Sequence, residues 1–83
     1  MSVRIVWDPV KYHINLKAHG LDFGIITLDC LAEAIIRPAK KGRLQAIGLI
    51  DGRAVSLIFS PLGSEAVSLI SLRAASAKER ALL

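Results

Sequence analysis

Eighty-three residues, 53% of them hydrophobic, with a net charge of +4, make one domain with a modest core and a basic surface. No run approaches the eighteen apolar residues of a membrane span, and Asp8 interrupts any apolar leader. The lone cysteine, Cys30, excludes an internal disulfide, no Cys/His cluster offers a metal site, no cofactor is implied, and the cytoplasm is the expected address.

The predicted elements follow in chain order. Val3 to Trp7 alternates β-branched residues and reads as a strand. Asp8 is placed to N-cap a helix with Pro9 at its first position, where a missing N–H costs nothing. Trp7 and Tyr12 have the spacing of a hydrophobic staple, and Val10, Ile14 and Ala18 form an apolar stripe. Gly20 stops this helix, with Lys17 and His19 in its last turn, where the helix dipole favours positive charge. Asp22 caps a second short helix ending near Cys30 or Leu31, with Leu21 and Ile26 as its staple. Glu33 to Arg37 reads as a strand stopped by Pro38. Arg43–Ile50 and Arg53–Ser60 flank Asp51-Gly52, a strong hairpin signal. Pro61 to Ser64 is a second turn, Glu65 to Arg73 a further strand, and Ser76-Ala77-Lys78-Glu79 a capping box opening a short C-terminal helix. The order predicts an α+β fold, with helices packed on one face of a three- to four-stranded antiparallel sheet.

The Asp51-Gly52 turn pairs Ile50 with Arg53 and, further out, Arg43 with Ser60. Leu44, Ala46, Gly48 and Ile50 then share the helix-covered face with Val55, Leu57 and Phe59. If the second turn pairs Ser60 with Glu65, Ala66, Ser68, Ile70 and Leu72 join them. The opposite face carries Arg43, Gln45, Ser56, Ser60, Glu65, Ser71 and Arg73 among Ile47, Leu49, Ile58, Val67 and Leu69. That mixture of arginines, hydroxyls and aliphatics reads as a contact surface. Mean hydropathy of +0.50 likewise leaves apolar surface for a deep core or another chain. Positive charge concentrates at Arg37, Lys40, Lys41, Arg43 and Arg53, where it either is ordinary solvated charge or attracts nucleic acid or an acidic protein.

Trp7-Asp8-Pro9-x-Lys11, Asn15, His19-Gly20 and Phe23 together resemble the BrnT family. So do Arg43-x4-Gly48, the Asp51-Gly52 hairpin, Val67 through Arg73, and Ser76-x-x-Glu79-Arg80. The resemblance spans residues 5 to 80 in order. It implies a RelE-like ribonuclease toxin of a type II toxin–antitoxin module, inhibiting translation by metal-independent RNA cleavage, free or on the ribosome. It also implies a BrnA-like antitoxin with a ribbon-helix-helix region as partner. Cleavage by attack of a ribose 2′-oxygen on its phosphate needs cations on the phosphorane, a base at the 2′-OH and an acid at the leaving oxygen.

The resemblance makes Arg43 and Arg73 the catalytic phosphate contacts, since a guanidinium fork holds two phosphate oxygens and stays charged. Against this, Arg43 can pair with Glu65 across the sheet, Arg73 can reach an acidic group, and a straight ladder separates the two by roughly 25 Å. His19 is the candidate acid or base, with a helix-terminal role as its alternative. Lys11, Lys17, Lys41, Arg53 and Arg80 are candidate RNA contacts. Trp7 and Phe23 read as core, and the role of Asn15 is open between backbone and substrate. The chain departs from the family pattern at Gly42, Leu62, Ala18 and the terminal Leu83, losing an acidic and a basic group. A catalytically weakened toxin-like binding module is therefore the alternative function.

Overall fold

Five strands, β1 (Arg4–Trp7), β2 (Ile35–Pro38), β3 (Leu44–Ile50), β4 (Arg53–Leu62) and β5 (Ala66–Ala74), form one sheet in the order β1-β5-β4-β3-β2. Three helices, α1 (Pro9–His19), α2 (Leu28–Glu33) and α3 (Ala77–Arg80), complete the α+β fold. The computed structural model describes residues 3–83, so Met1 and Ser2 of the stretch read as lacking a leader lie outside the described residues. The sheet has more strands than expected and is mixed, because β1 runs parallel to β5. Asp8-Pro9 turns β1 directly into a helix, which leaves it no hairpin partner; it closes the outer edge of the last strand instead.

The start of α1 follows local chemistry. The Asp8 carboxylate accepts the Val10 N–H at 2.9 Å, and the Trp7 and Tyr12 rings stack with centroids 5.9 Å apart. Phe23, fully buried, meets both rings edge-on, whereas Trp7 keeps 37% of its surface exposed and only half joins the core. Gly20 at φ 69° ends the helix by donating its N–H to the Leu16 carbonyl, a left-handed conformation that favours glycine. The apolar stripe behaves otherwise: Val10 and Ile14 are each 63% exposed, and the only fully buried residue of α1 is Asn15.

Asn15 is inward because β5 needs it. Pairing with β1 stops at Trp7↔Leu69, so the outer edge of β5 beyond that point has no strand beside it. There the Asn15 carbonyl oxygen accepts the Leu72 N–H at 2.8 Å, while its amide donates to the Leu21 carbonyl at 3.1 Å. One side chain thus ties strand, helix and following loop.

The second helix is split. Asp22 caps only a single 3-10 turn, Phe23–Ile25, because its two oxygens are taken by the Gly24 N–H and the Tyr12 hydroxyl, and Ile26 is extended. Thr27 then caps α2 afresh, accepting the Cys30 N–H. The end of α2 approaches β3 so closely that a Cβ on Gly48 would lie 3.2 Å from the Ala34 Cβ. The expected strand at 33–37 is present as β2, which begins two residues later and includes Pro38 rather than stopping before it.

The first hairpin has the expected register, Ile50↔Arg53 through Leu44↔Phe59, with Asp51 and Gly52 both at positive φ. The second does not. β4 continues through Pro61 to Leu62, which pairs with Ala66 across a three-residue loop, and Ser60 pairs with Ser68 rather than Glu65. Pro61 is tolerated because it lies past the end of β3, where β4 is an edge. A bulge between Ile58 and Phe59 of β4 leaves Ile70 without a partner and changes the alternation of β5. Leu72 and Leu69 therefore both enter the core, each fully buried, and Val67 packs against it. Leu69 and Val67, expected on the opposite face, are thus core residues; Ala66 and Ser68 change places with them.

Candidate nucleic-acid interface

The face of the sheet opposite the main core is not open. Ile47 and Ser56, on adjacent strands, are buried, and the nearby α3 buries a single residue of its own, Glu79. The capping box that shapes α3 is complete: the Ser76 hydroxyl accepts the Glu79 N–H at 3.2 Å, and the Glu79 carboxylate accepts the Ser76 N–H at 2.8 Å. Capping turns that carboxylate back over the sheet, where it meets Arg73 of β5 and Gln45 of β3.

Glu79 accepts four hydrogen bonds. Its Oε1 takes Ser76 N–H and Arg73 Nη1 (2.7 Å), and its Oε2 takes Arg73 Nη2 (2.9 Å) and Gln45 Nε2 (2.8 Å). Gln45 gives its second amide hydrogen to the Ser56 hydroxyl at 2.8 Å, and its carbonyl accepts from Nε and Nη2 of Arg37. Two arginines on strands β2 and β5 are thereby joined through one amide and one carboxylate. The Arg73 guanidinium, the Ser76 N–H and Gln45 hold the Glu79 carboxyl well below the usual carboxylate range, against the opposing effect of burial. Glu79 is ionised at neutral pH and supplies neither a proton nor a competent base.

The same contacts define what remains of Arg73. Its end-on pair, Nη1 and Nη2, faces Glu79, and a second Nη1 hydrogen reaches the Ala74 carbonyl at 3.2 Å. The Nε–H and the second Nη2 hydrogen form the side-on fork and make no bond among the described residues, and the side chain is 40% exposed. Arg73 is a cation fixed by one edge with its other edge open, the geometry that grips two oxygens of a phosphate.

The register correction moves Arg73 toward Arg43. Arg73 pairs with Ser56, which pairs with Ile47, four residues from Arg43 on the β3 strand line. The separation along the strands is therefore about 13 Å rather than roughly 25 Å. Arg43 makes no ion pair with Glu65; among the described residues the one ion pair is Arg73–Glu79. Lys40 and Lys41 form the turn just before Arg43, with Lys41 in the left-handed region at φ 61°. Arg53 is elsewhere, at the far end of β3–β4, beside Leu21, Ile25 and Ile50. The basic cluster of the sequence is thus divided between two ends of the sheet. Arg80 turns to the Ala75 carbonyl, and Lys17 is exposed on α1.

His19 and Lys11 stand apart from this network. They line a groove of about 210 Å³ between α1 and β5, together with Ile14, Asn15, Ala18, Ile70 and Ser71. His19 therefore lies at the β5 edge by Ser71 and joins none of the hydrogen bonds of Arg73. Asn15 is resolved in favour of backbone. Sequence reading missed Glu79 as the partner of Arg73 and Gln45 as the amide that joins Glu79 to Arg37. The capping box located Glu79, but only as a helix-terminal residue.

The model of the family described as "Ribonuclease toxin, BrnT, of type II toxin-antitoxin system" matches residues 7–79. The crystal structure of the Brucella abortus ribonuclease toxin BrnT is 42% identical and superposes with a TM-score of 0.85, covering 90% of this chain and 99% of that one. Curated protein sequences give no match. The network from Gln45 to Glu79 lies on the face where the family resemblance put its arginines, and nearly the whole chain is matched in sequence and in shape: this chain belongs to the BrnT family of ribonuclease toxins of type II toxin–antitoxin systems.

Proposed function

We propose that the chain is a RelE-like toxin that inhibits translation by cleaving cytoplasmic RNA without a metal ion, and that a BrnA-like ribbon-helix-helix antitoxin neutralises it. The observation that carries this reading is the open side-on fork of Arg73, held in place by Glu79. A guanidinium anchored in this way needs no reorganisation when charge builds on a phosphorane, which is where electrostatic catalysis gains most. Arg43, about 13 Å away along the strands and two strands across, suits a phosphate further along the same RNA. Lys41 extends that track and Arg80 marks its outer reach, whereas Arg53, beside Leu21 and Ile25, serves as an RNA contact only away from it. His19, which lines the groove at the β5 edge with Ser71, is the acid or base of the reading.

A second reading, a toxin-like binding module with little catalysis, is favoured by one feature: the only acid touching Arg73 is held ionised and has no proton to give.

Expression of the chain without its antitoxin tests both. The nuclease reading expects growth arrest and RNA cleavage that persists in chelator. Arg73→Lys, which keeps the charge but loses the fork, lowers cleavage by about 10²-fold or more. Arg43→Ala, which removes no internal partner, lowers it without altering the melting transition. Undiminished toxicity in both variants dismisses the arginine site; normal growth at full expression, with antitoxin binding intact, selects the binding module.

A further inference from the structure

The exposed aliphatic residues of α1 take no part in the RNA reading. Val10 and Ile14 are each 63% exposed, an uncommon degree of exposure for two aliphatic residues one turn apart on an 11-residue helix. Ile14 and Ala18 continue into the groove beside β5, whose far wall is the bulged Ile70 with Ser71. The result is one apolar strip along the helix axis, with Lys11 and His19 at the groove and Lys17 and His13 on the same helix. From Pro9 to His19 there is no acidic residue. Asp8, just before the helix, already accepts the Val10 N–H.

The geometry points to this strip as the docking site of an acidic amphipathic segment of the antitoxin, laid along α1 with its apolar side chains over Val10, Ile14 and Ile70. It rests on the antitoxin reading given above. The strip's own chemistry selects this occupant. RNA would set phosphates against aliphatic side chains and gain no aromatic platform there, since the strip holds none. A second copy of the chain would bring two lysine-bearing, acid-free helices together. An acidic helix gains both terms: it covers apolar surface and meets Lys11 and Lys17 at the rim. Seated there it also lies over His19 and beside Ser71, at the open edge that leads to Arg73.

The test uses the full chain and the antitoxin encoded beside it, with binding measured by calorimetry and RNA cleavage measured on the same preparations. Ile14→Asp and Val10→Asp change exposed positions and are expected to keep the melting temperature while antitoxin affinity falls about 100-fold; Val10→Asp, outside the His19 groove, also keeps cleavage, which the antitoxin no longer suppresses. Ile14→Lys retains more affinity than Ile14→Asp, since only an acidic occupant favours the added cation. Unchanged affinity in both Asp variants overturns the proposal, as does an equal loss for Lys and Asp at position 14. Loss of RNA binding with antitoxin affinity intact assigns the strip to RNA and overturns it as well. If the native chain cleaves nothing but binds antitoxin in this Ile14-dependent way, the docking site stands and the nuclease reading falls.

Discussion

The two faces of this one sheet are closed by opposite means. The α1–α2 side is sealed by aliphatic and aromatic side chains, among them Phe23, Leu57, Leu69 and Leu72, with a single buried amide, Asn15, that serves only backbone groups. The α3 side is closed by a four-residue helix whose one buried residue is a glutamate, and its contacts run from side chain to side chain. Burial of apolar area is non-directional and stabilises whatever shape excludes water. A network of charge-assisted hydrogen bonds contributes less net stability but fixes where each group points. On this division the first face carries most of the stability, and the second face holds Arg73 in one orientation.

The largest loss of stability is expected on the first face. Asn15→Leu leaves the Leu72 N–H and the Leu21 carbonyl buried without partners, at a cost of about 3 kcal/mol in chemical denaturation. A loss below about 1 kcal/mol would show that packing alone closes the β5 edge. Gly48→Val, on the same face, forces apart β3 and the end of α2 at Ala34 and is expected to cost about 2 kcal/mol by the same measurement.

The second face answers differently. Glu79→Gln keeps the shape but removes the charge under Arg73, and the expected stability loss is about 1 to 2 kcal/mol, with a larger proportional effect on RNA cleavage than on the fold. Its signature is in pH. Because the folded carboxyl titrates far below the unfolded one, its contribution is complete above about pH 4.3 and is lost as pH falls through the folded value. Asp22, held down by the Gly24 N–H and then by the Tyr12 hydroxyl, acts in the same direction. Stability of the native chain should therefore decline on acidification from pH 5 to pH 2, and more gently in Glu79→Gln; parallel acid limbs would remove Glu79 from the account. The smallest stability effect belongs to Arg43→Ala, within about 0.5 kcal/mol, so that its loss of activity reads as loss of substrate contact.

Much of the helical layer was legible residue by residue. Asp8, Pro9, Gly20 and the Ser76–Glu79 box act within two to four residues of chain, and the Asp51-Gly52 turn fixes its hairpin in the same way, whereas the Thr27 cap that restarts the second helix was not read. The candidate site was legible only as residue types. Arg43 and Arg73 could be placed on a shared face, but their separation depended on the register of the second hairpin, and Pro61 marked an edge rather than a turn. The stripe of Val10, Ile14 and Ala18 was visible as a pattern; which way it faced was not.

By itself, the sequence determined where the first and last helices begin, where the first one ends, the first hairpin, the basic balance and the family. Tertiary structure decided the parallel placement of β1, the bulge at Ile70, the inward turn of Asn15 and the clasp of Glu79 on Arg73 and Gln45. The reason is distance along the chain. Asn15 meets Leu72 across 57 positions and Gln45 meets Glu79 across 34, and bonds of that span form only after the intervening strands have settled their register.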